Sequence, residues 1–306
     1  MKISICIPTY NRPHFLKEAI ESCLNQTFLP YEIIIGDDSQ GNKSKLIVEN
    51  INRNKSQNVI IRYFQNQPSL GQLANVNSLI EKTEGNKFML LHDDDLLFPD
   101  ALETLVNLNE SDPSIQVSYG KQMLINDAGE DLNIDGFNER FFRTKDYEGT
   151  VLSPIEAAIV QQFPNNGYLI DTYIAKKTKY SSKEKVGNAG DFNFGLQLGL
   201  SNYKFYYIDH YIAKYRISKN SVARNGTDSA YQSYKLIKAL DLPAKDFDYR
   251  NHVLKIKAPI AIVQAIRIGK RRDAFKIYFE QWHKGKILTL GGIRRLLLLL
   301  FSRSRE

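Results

Sequence analysis

The sequence predicts an α/β fold, a mostly parallel central sheet with flanking helices, followed by a helical C-terminal extension. Three observations predict it. Over the first hundred residues, short apolar runs that read as strands alternate with segments of helical periodicity, the order that produces parallel strands joined by crossover helices. The strand-like runs end in Tyr10, Asp38 and Asp93 to Asp95, where open parallel sheets bind ligands. From about residue 226 the pattern is helical and basic. The 306 residues allow two domains, or one large domain with an appendage. A composition of 42% apolar and 25% charged residues excludes wholesale disorder and a multi-span membrane protein.

ISICIPTY is the first strand, closed by Pro8. Asn11-Arg12-Pro13 then opens a helix with proline in its first turn, and Phe15, Leu16, Ala19, Ile20, Cys23 and Leu24 recur at helical spacing through Gln26. YEIIIGDDS is a second strand ending in two carboxylates, a helix forms around Leu46, Ile47 and Ile51, and VIIRYFQN is the third strand. A helix from Gly71 to Lys82 leads into NKFMLLHDDDLLFPD, a strand running straight into an acidic cluster. Residues 100–110 read as a helix, QVSYGKQMLI as a strand, and the polar stretch 126–150 as a loop or hairpin over the site. Residues 154–162 and 190–200 read as helices, with YKFYYID and IAKYRI as two further strands. This places a sheet domain at 1–225, with halves meeting near 120, and the extension at 226–306.

Cys6 and Cys23 lie among apolar residues and are too few for a disulfide framework, so both are expected as buried thiols. The N-terminus lacks the features of a signal peptide, and no apolar run reaches the roughly 20 residues of a membrane-spanning helix; the expected location is cytoplasmic. Charge is uneven: residues 251–306 hold 13 Lys and Arg against 3 acids, a net of +10, so that of the +7 total the first 250 residues carry −3. The chain ends in GGIRRLLLLLFSRSRE, where Leu296 to Phe301 are flanked by Arg294, Arg295, Arg303 and Arg305. Residues 287–306 fit either an anchor on the inner face of the cell membrane or a helix packing its leucines on the domain. A nucleic-acid partner is not expected, because the basic segment is not a reading surface built into the fold.

Three consecutive aspartates after a buried run repel one another, and desolvation worsens the repulsion. A divalent cation, Mn²⁺ or Mg²⁺, relieves it, since these ions take one or two carboxylates plus phosphate oxygens. A solvated turn with Asp95 as a helix cap is the other reading.

SICIPTYNRPHFLKEAIESCLNQTF, IIIGDDS and GNKFMLLHDDDLLFPD, in this order and spacing, resemble the inverting glycosyltransferases of family 2 over residues 2 to about 222. The resemblance implies the GT-A fold and a nucleotide-sugar donor. It implies that Pro8, Thr9 and Tyr10 hold the nucleobase and that Asp38 accepts the base N–H. Arg12, Gly71 and Asn77 join this nucleotide-binding set. The resemblance further implies that Asp93 lies nearer the ribose, that Asp94 is the direct metal ligand, and that Asp95 assists or orients. Val76 stands where many members have Arg, and His92 where many have a carboxylate. In VGNAGDFNFGLQLGLSN, Asp191 matches the acid that deprotonates the acceptor hydroxyl; without the resemblance it reads as a helix cap. YRISKNSVA resembles the loop closing over the diphosphate, with Arg216 first and Lys219 second as its functional residues, and Ser218 where His is frequent. His210 and Asn166 are further acceptor-side candidates.

The implied activity is metal-dependent, inverting transfer of a sugar from a UDP-linked donor to a hydroxyl of a saccharide or lipid-linked saccharide, in surface polysaccharide biosynthesis. A sugar nucleotidyltransferase would carry a Gly-rich phosphate loop with Arg and Lys near its N-terminus, where this chain has IPTYNRP. P-loop, HExxH and GxGxxG motifs are absent. A catalytically silent sugar-nucleotide or membrane-binding partner would have no use for Asp38, Asp94 and Asp191 together.

Overall fold

A computed structural model of the chain describes residues 1–201, 203–217 and 228–301. β1 (Ile3–Thr9) is buried along its whole length. α1 (Pro13–Leu24) follows with proline in its first turn, burying Leu16, Ala19, Ile20, Cys23 and Leu24 as one stripe. β2 (Glu32–Asp37) is again buried throughout, as expected for strands covered on both faces. α2 (Lys43–Asn54), β3 (Ile60–Gln65), α3 (Gln72–Lys82) and β4 (Lys87–Leu90) complete the alternation. β3 is only partly buried, as suits the edge strand that it forms.

The short β5 (Leu96–Leu97) and α4 (Ala101–Ser111) lead to β6 (Val117–Ile125). Residues 126–150 contain two single turns of 3₁₀ helix, Glu139–Phe141 and Lys145–Tyr147. α5 (Pro154–Ile159) opens with a capping box between Ser153 and Glu156. β7 (Tyr168–Asp171) and α6 (Thr172–Thr178) follow, then α7 (Lys183–Val186), α8 (Gly190–Leu200) and β8 (Phe205–Arg216). The strands form one eight-stranded sheet in the order β3-β2-β1-β4-β7-β6-β8-β5. β1, β2, β3 and β4 are mutually parallel, and so are β6 and β8; β7 and β5 pair antiparallel with their neighbours.

The structure differs from the sequence reading at β8 and β7, and adds α6 and α7, which that reading lacks. YKFYYID and IAKYRI are one continuous strand, because β8 keeps pairing with β6 through a register shift around Gly120. Gly120 permits that close approach, since a Cβ there would stand 2.4 Å from the His210 carbonyl oxygen. β7, only four residues long and without alternation, inserts between β4 and β6 and has no counterpart in the sequence reading.

The chain forms two compact units, Met1–Tyr180 with Gln197–Ser218, and Ser181–Leu196 with Lys219–Glu306. The second unit thus takes in the segment around Asp191 besides the C-terminal helices. Those helices are α9 (Ser229–Lys238), α10 (Phe247–Arg267), α11 (Arg271–Phe279), α12 (Gln281–Lys284) and α13 (Leu290–Phe301). Tyr231 and Tyr234 of α9 donate their hydroxyls to Asp273 and Glu280, and the Trp282 indole donates to Asn251 at 2.8 Å. No described helix is long and apolar enough to cross a membrane.

Candidate active site

The ends of β1, β2 and β4 bring three segments together in the first unit. Thr9, the last residue of β1, pairs with Asp37, the last of β2, one step beyond the Pro8–Gly36 pair. The chain then leaves the sheet through Asn11, whose φ of 55° is a left-handed conformation that Asn tolerates. This turn leaves Tyr10 59% exposed, and the Asn11 N–H donates to Ser39 Oγ at 2.7 Å.

Asp38 is buried, and its carboxylate organises the loop before α3. It accepts from Asn66 Nδ2 (2.8 Å), the Leu70 N–H (3.2 Å) and the Gly71 N–H (2.8 Å). Gly71 has φ 80°, the left-handed backbone with which the chain enters α3. Asn77 faces elsewhere: its amide exchanges hydrogen bonds with the backbone N–H and C=O of Tyr180 at 2.7 and 2.8 Å.

The three aspartates after β4 have three different environments. Asp93 is buried and accepts the Thr9 hydroxyl at 2.7 Å. Burial and the neighbouring Asp94 charge push it up to about 6, against the pull of Thr9 and Arg12. Asp94 accepts from Arg12 Nη1 at 2.7 Å, and the same nitrogen lies 3.3 Å from Asp93. Arg12 is held above its ordinary value, because the two carboxylates outweigh its partial burial. Asp95 is buried with both oxygens engaged, one by the Arg216 N–H at 2.7 Å and the other by the Asn166 amide. Burial, then Asp94, raises it well above the usual carboxylate range.

Arg216 ends β8 with a fully buried side chain. Nε donates to Asp94 O at 2.7 Å, Nη1 to Asn126 O and Asp127 O at 2.9 Å each, and Nη2 to Glu18 at 2.6 Å. The guanidinium lies over the Phe15 ring, 4.7 Å from its centroid. It therefore braces the aspartate turn from within the fold. Lys219 and Ser218 lie outside the described residues. His210 pairs with Asp100 at 2.9 Å.

Behind Asp95 runs a relay of which sequence reasoning named only Asn166, as an acceptor-side candidate, and missed Arg143 and Gln122. Arg143 donates to Gln122 Oε1 at 2.9 Å, Gln122 donates to Asn166 Oδ1 at 2.8 Å, and Asn166 donates to Asp95. Arg143 is buried against carbonyl and amide oxygens, and burial pushes it down to about 10. No local signal marks these residues, because polar groups 21 to 71 positions apart meet only once the sheet is built. In the second unit, Asp191 sits half-buried in the first turn of α8.

The donor set suits a hard divalent cation. Among the described residues no three His, Cys, Asp or Glu side chains are arranged to hold an ion by themselves; an ion held by one carboxylate here would complete its shell with phosphate oxygens. Asp94 is the residue that fits: Asp95 has both oxygens bonded internally, and Asp93 is tied to Thr9. In this structure the Arg12 guanidinium supplies the positive charge between Asp93 and Asp94.

The family model described as "Glycosyl transferase family 2" matches residues 4–160, half of the chain. The chain belongs to glycosyl transferase family 2. It is accordingly a glycosyltransferase of the hexosyltransferase type. A curated relative, the GalNAc(5)-diNAcBac-PP-undecaprenol beta-1,3-glucosyltransferase of Campylobacter jejuni, is 27% identical over 258 residues, covering 81% of this chain and 78% of the relative. Among solved structures, S. aureus TarS 1-349 in complex with UDP-GlcNAc superposes with a TM-score of 0.63 at 16% identity, covering 98% of this enzyme and 81% of that chain. Against a longer TarS chain the enzyme spans about half of the length, 52%. The mannosyltransferase PcManGT from Pyrobaculum calidifontis, in complex with GDP-Man and Mn²⁺, gives a TM-score of 0.59 at 12% identity, covering 99% of the enzyme and 88% of that chain. At these identities the solved structures establish the GT-A-like fold.

Proposed function

We propose that the enzyme transfers a hexose from a UDP-linked donor to a hydroxyl of a saccharide acceptor, by a single displacement with inversion that uses Mn²⁺ or Mg²⁺. The observation that carries the reading is the convergence of Tyr10, Asp38 and Asp93 to Asp95 on the carboxyl ends of adjacent parallel strands. The UDP-GlcNAc complex of TarS and the GDP-Man and Mn²⁺ complex of PcManGT support a nucleotide sugar and a cation.

The exposed Tyr10 ring offers a face on which a pyrimidine stacks. Asp38 accepts three protein hydrogen bonds, and a carboxylate has about four acceptor positions, so one remains for a base N–H. Asp94 would hold the cation, with Asp93 nearer the ribose. A bound divalent cation neutralises charge that grows on the departing diphosphate. Arg12, released from Asp94, is a second positive group for that diphosphate. Asp191 takes the acceptor proton as general base, a role that rests on its sequence motif. The Campylobacter relative's name specifies an undecaprenol-linked saccharide, which supports a lipid-linked acceptor and a place in surface polysaccharide assembly.

Calorimetric titration with UDP, dTDP and GDP, each with Mn²⁺ and with EDTA, tests the donor and the cation. The expected result is Mn²⁺-dependent binding of UDP that Asp191→Asn retains while transfer is lost. Folded protein that binds none of the three nucleotides would sink the reading, and full transfer by Asp191→Asn would remove Asp191 from the base role.

A further inference from the structure

α13 is amphipathic in the wrong sense for a helix in water. Leu290, Ile293, Leu297, Leu300 and Phe301 recur at helical spacing and all face outward, Leu290 at 89% and Phe301 at 75% exposure. Leu288, in the preceding turn, is 91% exposed. The inward side carries Gly292 and Leu299, with Arg295 and Leu296 half-buried beside them. Gly292 packs so closely that a Cβ would stand 2.0 Å from the Lys286 carbonyl oxygen, and the Tyr278 hydroxyl donates to the Gly292 carbonyl at 3.2 Å. Arg295 donates to His283 at 3.1 Å, Arg271 donates to the Leu299 carbonyl, and Leu299 is the one leucine of the run that is buried. Within the run Leu299 is buried and Leu296 and Leu298 are half-buried, whereas Leu297 and Leu300 face solvent, so the helix packs only part of its leucines. A surface helix normally turns such a stripe toward the core, and an exposed stripe of this kind marks a binding surface. α13 packs on α10 and α11, which add the exposed pairs Ile256 with Ile260 and Phe275 with Phe279.

We infer that this outward face is a docking surface for an anionic lipid bilayer. Charge selects the occupant. Residues 251–306 carry a net +10, and the acids Asp273 and Glu280 are turned inward onto Tyr231 and Tyr234. Arg272, Lys276, Lys284 and Arg294 remain exposed around the apolar residues. Two copies of the chain meeting on this face would bring two such basic segments together, whereas negative headgroups complement them. The twelve described residues of α13 extend about 18 Å, short of the roughly 30 Å hydrocarbon core, so this stretch lies in the interface plane with its leucines among the acyl chains and its arginines at headgroup level.

The inference goes beyond the transfer reaction and needs no donor or acceptor for its test. The full chain is sedimented with vesicles of phosphatidylcholine alone and of phosphatidylcholine with about 30% phosphatidylglycerol, at low and at high salt. The expected result is sedimentation with the anionic vesicles, weakened at least about tenfold by Ile293→Gln/Leu297→Gln/Leu300→Gln and by high salt. Arg272→Gln/Lys276→Gln/Arg294→Gln should remove the preference for anionic vesicles. These six side chains are exposed or lie on the surface, and circular dichroism checks that the variants fold. No sedimentation with either vesicle, equal binding to both, or undiminished binding by the apolar triple variant would overturn the inference. So would a dimer in light scattering that the apolar variant dissolves.

Discussion

Replacing Arg216 by alanine separates two roles for this side chain. Three backbone carbonyls, of Asp94, Asn126 and Asp127, and the Glu18 carboxylate lose their partner at 2.6 to 2.9 Å. Breaking a buried pair from one side typically costs about 3–5 kcal/mol, and each hydrogen bond to a charged group contributes about 1.5–3 kcal/mol. Glu18 is partly exposed and water can reach it, which discounts its share, so about 4 kcal/mol is the expected loss. At about 2–4 °C per kcal/mol for domains of this size, the melting temperature falls by on the order of 10 °C. The assay is differential scanning fluorimetry, paired with UDP and Mn²⁺ titration at a temperature where the variant is folded. Arg216→Ala with wild-type melting and greatly weakened nucleotide binding would refute the bracing role and favour the diphosphate contact that the motif implies.

Neighbouring aspartates should respond differently: Asp94→Asn loses Mn²⁺-dependent nucleotide binding with little change in melting, whereas Asp95→Asn lowers the melting temperature, because both its oxygens accept internal bonds. Equal effects on both observables would contradict that division. Asp38→Ala removes the acceptor of the Leu70 and Gly71 N–H groups, so it should cost about 1–3 kcal/mol of stability as well as nucleotide affinity, read by urea denaturation. His283 is buried between the Tyr278 carbonyl and Arg295, and burial, with Arg295 and Lys286 nearby, lowers its pKa below the ordinary 6.5. The unfolded chain therefore takes up this proton first as pH falls through about 6.5. The stability of the second unit should decline from there toward the depressed folded value, and the decline should be smaller in His283→Gln; an unchanged slope would discharge His283.

The N-terminal half of the sheet was legible in the sequence because its elements are local. Apolar runs such as EIIIGD must be buried on both faces, helical stripes such as Leu16, Ala19, Ile20 and Cys23 cover them, and a βαβ order admits parallel strands. The acidic ends of those strands followed from the same order, and so did the position of Tyr10 just beyond β1. What the sequence alone did not determine is which polar groups spend their bonds on each other. Arg216 meets Glu18 across 198 positions, and Asn166 meets Asp95 across 71. Asn77 is committed to the backbone at Tyr180, and Lys87 at the start of β4 pairs with Asp171 of β7 at 2.7 Å. The outward face of α13 belongs to the same class. The LLLLLF run shows that the helix is apolar, but only the docking of Gly292 and Arg295 decides which side meets solvent. Periodicity is a property of neighbouring residues, whereas a partner for a buried charge, or the orientation of a helix, depends on surfaces brought together from distant parts of the chain, and those exist only in the folded molecule.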